Sequence, residues 1–217
     1  MRRPRVLLAD DHALVVEGLR RLLERDFDLV GAVTDGRTVI AAAERLRPDV
    51  ILLDISMPNL NGIDAARQLT RLVPDSKVVF VTMHGDPAYV AEAFRAGASG
   101  YLLKRCAARE LIEAIRAVLA GRSYVTPLVP GSHRAVEARE SSRRRSEPLT
   151  PRQREVLQLI AEGRVAKEIA AALRVSVRTV EFHKAAIMSR LEIRTTAELT
   201  RYAIAHGLAP LETTAIP

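Results

Sequence analysis

Five short apolar runs divide the first 120 residues: RVLLA (5–9), LVGAV (29–33), VILLD (50–54), KVVFVT (77–82) and GYLL (100–103). They show little alternation of polar and apolar residues, the pattern of strands covered on both faces in a parallel sheet. Between the first two, Leu14, Val15, Leu19, Leu22 and Leu23 recur at helical spacing. Similar patterns fill 36–46, 62–73, 87–96 and 108–120, with Asp86-Pro87 reading as an N-cap followed by proline at the first helical position. Strands alternating with helices of this length predict a five-stranded, doubly wound, flavodoxin-like α/β sheet of order 2-1-3-4-5.

The remainder of the chain is different. Residues 122–148, with two early prolines, several serines and the run Arg143-Arg144-Arg145, read as a linker between a domain over 1–121 and a second over 149–211. That second part is helical throughout. Thr150-Pro151-Arg152-Gln153 has the form of a capping box, and the helix it starts ends near Gly163. KEIAAALR (167–174), a turn over Arg174-Val175-Ser176, a longer helix from Val177 to Leu191 and a last one over about 196–206 follow. Two helices joined by a tight turn in a small helical domain form a helix-turn-helix pattern.

Charge supports the division. Residues 1–121 carry 17 Lys/Arg against 16 Asp/Glu, and residues 122–217 carry 16 against 10, so most of the net +7 lies in the second part. A basic module joined to a neutral one is the electrostatic footprint of nucleic-acid binding. The one cysteine, Cys106, excludes an internal disulfide and suits a reducing, cytoplasmic setting. No apolar run approaches the ~20 residues of a membrane span, so no membrane role is expected.

In a doubly wound sheet, functional groups collect beyond the carboxyl ends of the strands. Here those positions hold Asp10 and Asp11, Asp54, Thr82 and Lys104. A single strand-end aspartate is commonly a helix cap, and a single lysine a solvated charge. Three carboxylates in one pocket repel one another, and a hard divalent cation such as Mg²⁺ resolves that repulsion. A carboxylate beside such an ion can attack a phosphoryl group and form an aspartyl phosphate. A lysine and the metal would neutralise the transferred oxygens.

The motifs LLADDH, VILLDISMPNLNGID, VVFVTMH and GASGYLLK resemble the receiver domains of two-component response regulators. The resemblance implies that Asp54 is the phosphoacceptor. It implies that Asp11, Asp54 and the backbone carbonyl of Ser56 hold Mg²⁺ with Asp10 assisting, and that Thr82 and Lys104 contact the phosphoryl group. It implies that Tyr101 is an aromatic switch that turns inward on activation. Many receivers have proline after the lysine; this chain has Arg105.

The string LTPRQREVLQLIAEG…AKEIAAALRVSVRTVEFHKAAIMSRL resembles the LuxR-type helix-turn-helix of NarL/FixJ-type regulators. The helix from Val177 is then the recognition helix, with Val180, Ile187 and Leu191, joined by Val177, at core spacing. Arg178, Glu181, Phe182, Lys184 and Ala185 lie on its other face. Thr179, His183 and Lys184 correspond to phosphate or groove-edge contacts, as does Lys167 in the preceding helix. Glu181, Phe182 and Ala185 correspond to base-facing positions; a glutamate accepts from cytosine and a phenylalanine meets a thymine methyl. Arg174 and Glu192 stand where the family often has Gly or Asn.

The whole reads as a DNA-binding response regulator, not an enzyme. The resemblance implies a sensor histidine kinase, promoter DNA, a homodimer paired through about Ala197–His206, and RNA polymerase as partners. Alternatives are a phosphorylation-independent transcription factor that uses the receiver for docking or dimerisation, a small-molecule-gated regulator, and a phosphohydrolase. The last would want an acid two residues after its nucleophile, where this chain has Ser56.

Overall fold

The structure, a computed structural model, describes residues 2–106, 108–129 and 149–209. Strands β1 (Arg5–Ala9), β2 (Asp28–Val33), β3 (Val50–Leu53), β4 (Lys77–Thr82), β5 (Gly100–Leu103) and β6 (Tyr124–Val125) form one sheet of order β2-β1-β3-β4-β5-β6, all neighbours parallel. The expected order 2-1-3-4-5 is present, with a sixth strand added at the edge. Tyr124 and Val125, which read from sequence as the start of the linker, pair with Gly100 and Tyr101. Two residues are too short a run to carry a strand period. The rest of the expected linker from residue 130 on, with Arg143–Arg145, lies outside the described residues, as do residues 210 and 211.

Helices α1 (Ala13–Leu23) and α5 (Ala108–Leu119) cover one face of the sheet; α2 (Gly36–Leu46), α3 (Gly62–Leu72) and α4 (Pro87–Arg95) cover the other. Strand side chains alternate between the two cores. Leu7, Ile51, Leu53, Phe80 and Tyr101 pack with α2–α4, while Val6, Leu8, Val50, Leu52, Val79 and Val81 pack with Leu23, Leu111 and Ile115. Burial on both faces explains why these strands read as nearly continuous apolar runs. Asn61 caps α3 by accepting from the Asp64 amide, and Asp86 caps α4 ahead of Pro87.

In the C-terminal part, α6 (Pro151–Ala161), α7 (Ala166–Leu173), α8 (Val177–Leu191) and α9 (Thr196–Ala205) enclose a core that includes Val156, Leu157, Ile160, Leu173, Val180, Ile187, Leu199 and Ala203. The expected capping box forms: Thr150 Oγ1 accepts from the Gln153 amide at 3.2 Å, and Gln153 Oε1 accepts from the Thr150 amide at 2.9 Å. Val177, expected to join the core at the start of α8, is the first residue of that helix and is exposed instead. Arg174 and Glu192 adopt left-handed backbone conformations, with φ of 53° and 56°.

Candidate functional site: a phosphoacceptor pocket and a DNA-reading helix

Register builds the pocket. Ala9 pairs with Leu53 and Thr82 with Leu103, so the residues that follow β1, β3 and β5 leave the sheet side by side. The Asp54 amide donates to the Ala9 carbonyl at 2.9 Å, and the Lys104 amide donates to the Thr82 carbonyl at 2.8 Å. Asp10 and Asp54 are both buried, and both carboxylates accept from one ammonium: Lys104 Nζ lies 2.8 Å from Asp10 Oδ2 and 2.7 Å from Asp54 Oδ2. The remaining Asp54 oxygen accepts from the Ile55 amide at 2.7 Å.

Burial pushes the Asp54 carboxyl above its ordinary range; Lys104 draws it back by charge and hydrogen bond, and Asp10 opposes that. For Lys104, burial pulls down, yet the two carboxylates more than offset it and hold the ammonium up. The pocket therefore keeps its cation and leaves its central acid poised.

Side-chain donors of Asp10, Asp11, His12 and Asp54 come within 4.8 Å of one another. The three carboxylates of this set are hard oxygen donors, and with two of them buried they fit a divalent metal ion. His12 is absent from the sequence-derived set. Its Nδ1 lies 3.1 Å from Asp10 Oδ1 and 2.9 Å from Asp11 Oδ1. Adjacency to the paired aspartates in LLADDH was the one available signal.

His84 is also absent from the sequence-derived set, and it joins Ser56, Thr82 and Tyr101. Its Nε2 lies 2.9 Å from Ser56 Oγ, its carbonyl accepts from the Tyr101 hydroxyl at 2.8 Å, and its amide lies 3.4 Å from the buried Thr82 Oγ1. Burial is the main cause that lowers its pKa; Asp54 opposes and Lys104 adds to the fall. Tyr101 is fully buried, pointing inward against Phe80. The Lys104–Arg105 peptide is trans.

On α8, Arg178, Glu181, Phe182 and Ala185 are exposed, Phe182 with 69% of its surface in solvent. Thr179, His183 and Lys184 are half-buried along the flank, and Lys167 on α7 is exposed. Ser176 caps the helix by accepting from the Thr179 amide at 3.1 Å. Val180 and Ile187 face the core, with Leu191 packed beside it, as the spacing predicts. On α9, Leu199 and Ala203 are core, while Ile204 is partly buried.

A parallel α/β sheet with an acidic, lysine-bearing pocket at its carboxyl edge, joined to a helix-turn-helix module, defines a receiver coupled to a DNA-binding domain. The sequence matches the response regulator receiver domain over residues 6–116 and the bacterial regulatory proteins of the luxR family over residues 147–203. It is 37% identical to the transcriptional regulatory protein MctR of Rhizobium johnstonii, covering 94% of each chain. It is 34% identical to the response regulator UvrY of Escherichia coli, covering 96% of this chain and 97% of that one. Its structure is similar to that of RcsB from Salmonella enterica serovar Typhimurium, bound to a promoter in the presence of the phosphomimetic BeF3−. The TM-score is 0.62 at 28% identity, over 94% of this chain and 99% of that one.

The chain belongs to the NarL/FixJ-type response regulators of two-component systems, a family of DNA-binding transcriptional regulators rather than enzymes. No helix among the described residues is long and apolar enough to cross a membrane.

Proposed function

We propose that this regulator accepts a phosphoryl group on Asp54 from a sensor histidine kinase. The observation that carries this reading is the shared ammonium: Lys104 Nζ bridges the buried Asp10 and Asp54 at 2.8 and 2.7 Å. Asp10, Asp11, Asp54 and the Ser56 carbonyl would hold Mg²⁺, which supplies charge neutralisation for the incoming phosphoryl oxygens. Asp54 is the nucleophile; its carboxylate oxygen bonds to phosphorus as the phosphohistidine nitrogen leaves. Lys104 pairs with the new charge, and Thr82 donates its hydroxyl to a phosphoryl oxygen. Drawing Thr82 inward disturbs the Thr82–His84 segment, and Tyr101 reports that change through its bond to the His84 carbonyl.

The readout is at promoter DNA. Glu181, Phe182 and Ala185 meet base edges, Arg178 lies on the same DNA-facing surface, and Lys167, Thr179, His183 and Lys184 meet phosphates or the groove edge. The promoter-bound phosphomimetic form of RcsB supports this order of events. A homodimer paired near α9 would supply the second half-site contact, with RNA polymerase as the downstream partner and the cytoplasm as the setting.

Acetyl phosphate and Mg²⁺ with radiolabelled phosphoryl test the acceptor. The wild-type chain is expected to incorporate label and Asp54→Asn to lose it. Undiminished labelling of Asp54→Asn would falsify the assignment.

A further inference from the structure

His12 stands at the N-cap of α1, yet its side chain makes no capping hydrogen bond to that helix. The imidazole turns toward the acidic pocket instead. The His12 amide donates to Asp10 Oδ1 at 2.9 Å, which holds the residue against the cluster. Nδ1 then lies 3.1 Å from Asp10 Oδ1 and 2.9 Å from Asp11 Oδ1. Lys104 Nζ approaches this nitrogen only to 3.5 Å, while it stands 2.8 Å from Asp10 Oδ2 and 2.7 Å from Asp54 Oδ2. The ammonium thus takes one oxygen of Asp10, and the imidazole faces the other.

These separations fit ligands of a single ion. Donor atoms at adjacent corners of an octahedron with bonds of about 2.1 Å stand about 3 Å apart. Nδ1 keeps that spacing to both members of the Asp10-Asp11 pair, and one donor from each of Asp10, Asp11, His12 and Asp54 falls within 4.8 Å of all the others. The His12 side chain is 60% exposed, so the far side of the ring is open to water.

We propose that His12 is a specificity-determining ligand of this pocket, opening it to divalent transition ions of the zinc type beside Mg²⁺. The proposal deepens the metal-holding reading above and rests on it. Mg²⁺ takes oxygen donors and keeps several of its waters, so a nitrogen at the rim adds little for it. An imidazole nitrogen suits Zn²⁺ and its neighbours in the first transition row. A histidine that only tied the two carboxylates together would support every divalent ion alike. A histidine that ligates supports one class over the other. The two classes of ion then compete for the same carboxylates, and the cation in the pocket follows the supply of both.

The test is equilibrium binding of Zn²⁺ alone and of Mg²⁺ alone to the full chain at about pH 8, above the ordinary histidine range. Competition with a chromophoric chelator measures Zn²⁺, calorimetry measures Mg²⁺, and Asp11→Asn identifies the binding that belongs to the pocket. At that site His12→Ala is expected to lose about tenfold or more in Zn²⁺ affinity while Mg²⁺ affinity stays within about threefold. His12→Asn, which offers an amide oxygen in place of the ring nitrogen, should show the same split, and it carries the test if His12→Ala does not fold. Nitrogen NMR of the wild-type imidazoles gives a direct readout: Zn²⁺ should move the His12 Nδ1 resonance far more than Mg²⁺ does. Equal losses for both ions, an unchanged Zn²⁺ affinity, or a His12 resonance that Zn²⁺ leaves in place overturns the proposal. Failure of the wild-type chain to bind either ion in an Asp11-dependent way overturns the metal-holding reading instead.

Discussion

Gly62 lies directly against the backbone of Asp54: a Cβ at position 62 would sit 1.9 Å from the Asp54 carbonyl oxygen. The Gly62 amide donates to the Ile55 carbonyl at 2.8 Å, which draws the start of α3 back under the end of β3. The glycine is needed here for close approach, not for a left-handed turn. Gly62→Ala must push the loop off the strand end. Its expected cost is about 1–3 kcal/mol, the usual range for forced overpacking against a rigid neighbour. The loop also carries Ser56, so phosphoryl incorporation should slow as well. Urea unfolding and labelling by acetyl phosphate check both, and a variant equal to wild type in each contradicts the account of this loop.

The pocket electrostatics predict a pH dependence. Acceptance requires an ionised Asp54, and burial raises its pKa more than Lys104 lowers it. Without bound metal, the Asp54 carboxyl should therefore take up its proton at a higher pH than an exposed aspartate does. The stability linkage has the opposite sense. A carboxyl with a raised native pKa holds a proton that the unfolded chain has released, so its contribution to stability is greatest below the ordinary aspartate pKa. That contribution is lost as pH rises through the raised value. Lys104→Met removes the opposing cation and should move this metal-free proton uptake, followed by carboxyl NMR, to still higher pH, besides slowing phosphoryl incorporation. Superimposable carboxyl titrations for the two proteins rule this out.

Much of this site was legible because strand ends are fixed by apolar runs. VILLD places its aspartate just beyond the last residue of a buried strand, and LLADD does so for its pair; adjacency of β1 and β3 follows from the sheet order. His84 and Tyr89 were not legible as a stacked pair, since four residues of irregular chain and helix start separate them. The stripe Arg154, Gln158, Glu162, which bonds to Asp64, Asn61 and Asn59 of the receiver, was less so. Polar residues four apart on a helix read as a solvent face, and only docking of a second domain turns that face inward. Contacts between domains leave no periodic trace in either one.

On α8, Lys184 flanks the exposed residues Glu181, Phe182 and Ala185. A phosphate contact contributes equally to every sequence and releases counterions when it forms. Lys184→Ala should weaken specific and non-specific binding alike and reduce the slope of log affinity against log salt by about one unit. Titrations of operator and random duplexes at several salt concentrations give the answer. Loss confined to one sequence would instead make Lys184 a reader of bases.

The last prediction concerns stability of the DNA-binding half. Arg174 ends α7 with φ 53° and ψ 48°, and Glu192 ends α8 with φ 56° and ψ 33°. Both are left-handed, a conformation that costs an L residue with a Cβ roughly 1–2 kcal/mol. At each position the backbone amide still closes the helix, Arg174 onto the Ala170 and Ala171 carbonyls and Glu192 onto Met188 and Ser189. The strain is therefore carried by the side chain's presence and not by a lost hydrogen bond. Glycine removes the strain but frees the unfolded chain, which returns about 0.5–1 kcal/mol. Asparagine tolerates the left-handed region without that entropic loss. Arg174→Asn and Glu192→Asn are each expected to raise the stability of this half by about 0.5–1 kcal/mol, with Arg174→Gly and Glu192→Gly gaining less. Denaturant midpoints of the full-length variants measure this, and a loss of stability in both asparagine variants would show that the Arg174 and Glu192 side chains stabilise the native state by more than their backbone strain costs.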